Sequence, residues 1–195
     1  MNSIKILAIL SFLLGIATLY VIILDDPWWI LIGGEYSNPI LRIAISPYTS
    51  HIEILGRLVR IEILTLINNA IRLSMIILTM GMILGSILLL RGFKNAIKMI
   101  GFELFILTIG ILVAIYLSNS IIAQYIQQNF GITDFTYPLL GSVISKISIS
   151  LGSFVAVFNI PLQAQLTSTF YLALGLGLIS LVIQLIGRVL LKTKS

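Results

Sequence analysis

Four stretches of this chain, residues 4–24, 67–90, 96–118 and 166–191, are almost wholly apolar. A helix needs about 20 such residues to cross a hydrocarbon core of roughly 30 Å, and each stretch meets that length. The rest of the chain agrees. Only 10% of its residues are charged, against about 25% in an ordinary soluble domain, so a water-facing surface could not be covered. The fold class expected is a membrane all-α four-helix bundle with a small extracellular β-layer. The bundle takes residues 1–195 as one tetraspan domain, with residues 25–66 and 119–165 outside.

The first stretch has a second reading, a cleaved signal peptide, because Lys5 precedes an apolar run. The run 6–24 is longer than the about 7–15 residues of a signal h-region, and no A-x-A site follows it. A retained helix is expected.

Orientation follows from the basic residues. Lys5, Arg91, Lys94, Lys98, Arg188, Lys192 and Lys194 fall on one side of the four stretches with no acid among them. Arg42, Arg57, Arg60, Arg72 and Lys146 fall on the other, offset by Asp25, Asp26, Glu35, Glu53, Glu62 and Asp134. Lysine and arginine are retained in cytoplasmic loops. The chain therefore reads as a multi-pass protein of the cell membrane with both termini and the 91–95 loop in the cytoplasm. Trp28 and Trp29 then fall near the outer interface and are expected to anchor there, with Tyr116 and Tyr171 at the same level. A pI of 9.6 invites a nucleic-acid reading. The basic residues border the apolar stretches, however, and the topology signal accounts for them.

The outer segments carry strand patterns. Ile147, Ile149 and Leu151 alternate with Lys146, Ser148 and Ser150, and Phe154, Ala156, Phe158 and Ile160 alternate up to Pro161. This period of two predicts a β-hairpin over about 143–160, turning at Gly152-Ser153, with Pro161 fitting the end of a strand or an edge. Residues 41–45, between Pro39 and Pro47, read as a short strand. The next part repeats Ile52-Glu53-Ile54-Leu55 as Ile61-Glu62-Ile63-Leu64. Two strands fit it, and so does a helix running into the second span; alternation over 57–64 favours strands. The third span continues outward, since Ile121, Ile122, Tyr125 and Ile126 recur at helical spacing up to a stop at Gly131.

The chain has no cysteine, which excludes disulfides, thiolate metal sites and cysteine nucleophiles. Together with heavy isoleucine usage, that absence suits a thermophilic source. The single histidine, His51, has no partner at a recognisable catalytic or ligand spacing, and reads as a solvated loop residue. No phosphate-binding, dinucleotide-binding or zinc-protease motif occurs. The expectation is a non-enzyme without a cofactor or metal.

Chemistry of a different kind lies inside the spans. Glu103 sits in the third stretch, roughly 10 Å from its cytoplasmic end at 1.5 Å per residue, where an ionisable group is costly. Ser11, Ser86 and Gln184 lie at comparable depths. The four are expected to form an intramembrane polar layer, with Glu103 facing inward to Gln184 or Ser11. Small residues four apart, Ser11–Gly15, Gly81–Gly85, Gly110–Ala114 and Ala173–Gly177, are expected to let the helices pack closely.

A long first outer segment, a cytoplasmic hairpin between spans two and three, a long third helix and outer strands together resemble the claudin-like tetraspan architecture. The claudin Gly-Leu-Trp triplet and cysteine pair are absent. The resemblance implies lateral assembly through the outer β-layer. The function expected is therefore a structural, assembly or subunit role in the lipid bilayer, as a homo-oligomer or within a membrane complex, and without nucleic acid. The alternative is a small transporter or channel component that uses Glu103 in an ion or proton path.

Overall fold

The structure, a computed structural model, describes residues 3–130, 132, 133, 135, 137–151 and 154–192. It divides into two compact units. The helical unit comprises Met1–Asp26, Asn69–Ile111 and Ser168–Ser195, and the sheet unit comprises Pro27–Asn68 and Leu112–Thr167.

The described residues include four α-helices: α1 (Ser3–Leu24), α2 (Glu62–Leu90), α3 (Phe102–Phe130) and α4 (Ser168–Lys192). All four are long and apolar enough to cross a membrane. Their exposed faces are apolar, as in the α1 stripe Ile6, Ile9, Leu13, Ile16, Tyr20 and Ile23. Their buried faces hold hydroxyls and an amide: Ser11, Thr79, Ser86, Thr108, Ser180 and Gln184. A water-soluble helix has the reverse arrangement. Water would penalise such an apolar exterior, whereas hydrocarbon would not.

The helix ends differ from the expected spans for identifiable reasons. The second helix starts at Glu62, so the repeat Ile61–Leu64 opens a helix and is not a strand. Glu62 in the first turn complements the positive end of the helix dipole. That helix ends in a Schellman motif: Phe93 N–H donates to the Leu88 carbonyl and Gly92 N–H to that of Leu89, with Gly92 at φ +93°. Residues 96–101 are not part of the third helix. Lys94–Met99 forms a 3-10 helix, Gly101 takes φ +96°, and α3 begins only at Phe102. It then runs to Phe130, as the spacing of its isoleucines predicts. Leu166 belongs to a strand, so α4 starts two residues later than expected.

Among the described residues seven strands make one antiparallel sheet: β1 (Trp29–Glu35), β2 (Asn38–Ile45), β3 (Ser50–Ile54), β4 (Arg57–Val59), β5 (Ile132–Thr133), β6 (Gly141–Leu151) and β7 (Phe154–Leu166). The order is β4-β3-β2-β1-β7-β6-β5. The hairpin expected at 143–160 is β6–β7, paired from Leu151↔Phe154 to Gly141↔Ala164. Its turn, Gly152-Ser153, lies outside the described residues, as does Gly131.

Pro161 does not end β7. β7 gains β1 as a partner only from Leu162, opposite Gly33, so Pro161 lies one residue before that pairing begins, on an edge where a missing N–H is tolerated. In register, Trp29, Leu31 and Gly33 of β1 face Ile45, Ile43 and Leu41 of β2. Ile52 and Ile54 of β3, with Leu162 and Ala164 of β7, extend the same face. These side chains are buried. The C-terminal part of α3 contributes Ile115, Ile122 and Ile126, also buried and all on one helical face.

Candidate functional site

The strand directions sort the sheet into two ends. The β1–β2 and β3–β4 turns lie at one end, toward which β6 also runs, because β1, β3 and β6 run the same way. The chain segments that join the sheet to α1, α2 and α4 leave from the other end. Trp28 marks that second end. Its N–H donates to the Ile45 carbonyl at 2.8 Å, and its carbonyl accepts from Thr167 N–H at 3.0 Å.

The turn end carries exposed apolar side chains. The β3–β4 turn is Leu55-Gly56, with φ +52° at Leu55 and +73° at Gly56. Two positive φ values match a type I′ turn, which favours Asn-Gly because a branched side chain is disfavoured there. Leu55 nevertheless occupies the first position with 69% of its surface exposed. Its N–H donates to the Ile40 carbonyl at 2.8 Å, which holds the strained residue in place. Tyr36, in the β1–β2 turn, is 74% exposed, and Leu58, Val157 and Phe158 are exposed as well. Successive residues point to opposite faces, so Val157 and Phe158 put one exposed apolar side chain on each face of the hairpin, Val157 on the face that also carries Lys146, Ser148 and Asn159.

The tryptophans do not anchor at an interface. Trp28 and Trp29 are 1% and 0% exposed, and no headgroup can reach them. Trp29 Nε1 donates to the Leu139 carbonyl at 2.6 Å. Its ring sits 6.4 Å from that of Tyr137, which in turn lies 5.3 Å from Phe135. The Tyr137 hydroxyl donates to the Asn119 carbonyl at 2.6 Å, and burial pushes its pKa above the ordinary tyrosine value. The chain after α3 is thereby pinned to both α3 and β1.

His51 and Ser50 border an open cavity of about 270 Å³ that Arg60 and Asn68 also line. The pair cannot act as base and nucleophile, since successive residues of a strand point to opposite faces. Ser50 Oγ instead accepts from Asn68 Nδ2 at 2.8 Å, and His51 is exposed on β3. Among the described residues no three of His, Asp or Glu cluster closely enough to hold a metal.

In the helical unit, Ser11, Ser86 and Gln184 are buried. The serines do not reach one another. Ser11 Oγ donates to the Leu7 carbonyl at 2.8 Å and Ser86 Oγ to the Met82 carbonyl at 2.7 Å, each within its own helix. Gln184 Nε2 donates across to the carbonyls of Ile97 and Lys98, at 3.4 and 3.3 Å. The Ile97 carbonyl also accepts from the Ile100 N–H at 3.3 Å, and the glutamine adds a side-chain donor at this end of the 3-10 helix. The Glu103 side chain lies outside the described residues.

Ser180, which the sequence reading missed, sits four residues before Gln184 and is fully buried. A Cβ placed on Gly101 would overlap the Ser180 backbone carbonyl. Of the five glycines expected to pack helices, Gly15, Gly85 and Gly177 lie close to other chain segments. A Cβ on Gly15 would lie 2.8 Å from Ile83, one on Gly85 2.8 Å from Met99, and one on Gly177 3.3 Å from the Phe105 backbone. Gly81 and Gly110 face open space. No protein-family model matches the chain, and no curated protein matches its sequence.

Proposed function

We propose that this chain is a non-enzymatic multi-pass membrane protein, both termini cytoplasmic, that acts as an assembly or subunit protein through the hairpin end of an extracellular sheet. Leu55 carries the reading. A branched residue at positive φ costs roughly 1–2 kcal/mol relative to glycine, and here that cost serves only to expose an apolar side chain at a hairpin tip. Strain of this kind persists where a function retains it. Tyr36, Leu58, Val157 and Phe158 extend the apolar surface around it.

The acid-free cluster of basic residues at the ends of the helices supports the orientation. The claudin-like order of helices and outer strands points to the same mode of action, although four apolar helices with a sheet are not diagnostic of that family.

The test is Leu55→Asn, with the particle mass measured in mild detergent and the co-purifying chains identified. Asparagine suits the turn, so the variant is expected to gain about 0.5–1 kcal/mol in stability. It should also lose part or all of the assembly that the wild-type protein shows. A wild-type protein that runs as a single chain, or a variant that assembles undiminished, would remove the role assigned to this surface.

A further inference from the structure

The β6–β7 hairpin reaches further than the strand beside it. β6 and β7 pair from Leu151↔Phe154 to Gly141↔Ala164, whereas β1 covers β7 only from Leu162 to Leu166. Among the described residues, Phe154–Ile160 therefore has β6 on one side and no strand on the other. Alternate residues of a strand turn both N–H and C=O to the same side, so this edge presents a row of backbone donors and acceptors. Val157 and Phe158 are 60% and 50% exposed, and Asn159 is exposed beside them.

An open edge is a template for another strand, and proteins blunt such edges with charge, proline or brevity. β4 has three residues and begins with Arg57, and β5 has two. Phe154–Ile160 has no such protection. Its seven residues include no charge, glycine or proline, the composition that pairs most readily with a further strand. Pro161 follows directly and closes the segment where β1 joins.

We propose that this edge pairs antiparallel with the same edge of a second copy of the chain, about a two-fold axis at Val157. An axis at the middle of the free segment matches all seven residues. Phe154 then stands opposite the partner's Ile160 and Ala156 opposite the partner's Phe158, on one face of the joined sheet. Val155 opposite the partner's Asn159, and Val157 opposite the partner's Val157, fall on the other. No like charges meet, because the segment has none. A foreign strand would have to match the length and both faces, whereas an identical edge does so by symmetry. The pairing rests on the assembly role proposed above and names its partner. It uses the backbone of β7, not the side chain of Leu55.

The test places single cysteines in the full chain, which has none of its own, purified in mild detergent and oxidised with copper phenanthroline. Val157→Cys should give a disulfide-linked dimer. Val155→Cys and Asn159→Cys should each fail alone. Four residues at roughly 3.4 Å hold each such cysteine about 14 Å from its own counterpart, beyond the about 7 Å Cα spacing that a disulfide spans. An equal mixture of those two variants should crosslink. Val157→Lys, at an exposed position, should weaken the dimer about tenfold by setting like charges opposite each other, with helix content and thermal midpoint unchanged. Three results would overturn the pairing and leave the assembly role standing: protein that assembles by mass but gives no dimer at 157, equal crosslinking at all three positions, or an undiminished dimer in Val157→Lys. Wild-type protein that runs as a single chain would overturn both.

Discussion

Gly101→Ala is expected to cost the helical unit about 2–5 kcal/mol, combining positive-φ strain of roughly 1–2 with overpacking of roughly 1–3. At φ +96° the residue is in a region that L side chains rarely adopt. The atoms that a Cβ would meet belong to the Ser180 backbone, so relief would require α4 to shift as a whole. Such a shift would also pull Gln184 away from the carbonyls of the 3-10 helix. The measurement is the thermal midpoint of helix loss in mild detergent, together with the yield of monodisperse protein. Gly110→Ala is the control. A Cβ there meets open space, and alanine favours a helix interior over glycine by roughly 0.5–1 kcal/mol, so that variant should be neutral or slightly stabilised. Similar midpoints for Gly101→Ala and the wild type would show that the contact at Ser180 is looser than described.

The second large effect concerns Trp29. Replacing a fully buried tryptophan by alanine costs about 3–5 kcal/mol, and this one also donates to Leu139 and packs on Tyr137. The loss should fall on the sheet unit. The chain has only two tryptophans, Trp28 and Trp29, and both are buried there. Tryptophan fluorescence therefore follows the sheet unit, while far-ultraviolet circular dichroism is dominated by the helices. Trp29→Ala should lower the fluorescence midpoint far more than the helix midpoint. Trp29→Phe retains most of the packing but leaves the Leu139 carbonyl without its donor, at a cost of about 1–3 kcal/mol. Equal shifts in both signals for Trp29→Ala would mean that the two units unfold together.

These two residues mark where the sequence was hard to read. The four helices were legible because apolar runs of that length have few other uses. The β6–β7 hairpin was legible because alternation is a direct record of one buried face, and most of β2 because Pro39 and Pro47 bracket it. β1 was not. Its residues Trp29, Ile30, Leu31 and Ile32 are apolar on both faces, as befits a strand between β2 and β7, and no alternation remains to reveal it. The tryptophans were placed at an interface for the same reason: adjacency to a span is visible in a sequence, whereas the partner carbonyl of Leu139 is 110 positions away.

The break at Gly101 was hidden inside a hydrophobic run. Glycine is common in membrane helices, and nothing local to Ile100-Gly101-Phe102 announces that α4's backbone passes beside it. Ser180 could have been found, since it precedes Gln184 by four residues and so shares its helical face. Leu55-Gly56 stood in plain view between two strand-like stretches. Its meaning depends on a backbone angle that residue identity alone would have argued against.

The absence of native cysteine makes the assembly reading directly testable in membranes, because each introduced cysteine is the only one in the chain. Cysteine at Leu55 and, separately, at Asn95 would be exposed to a membrane-impermeant thiol reagent and to a short bifunctional crosslinker in intact cells. The cysteine at 55 is expected to crosslink to a second chain from outside, and the one at 95 to react only after permeabilisation. A cysteine at 55 that labels freely and never crosslinks, or one at 95 that labels from outside, would contradict it.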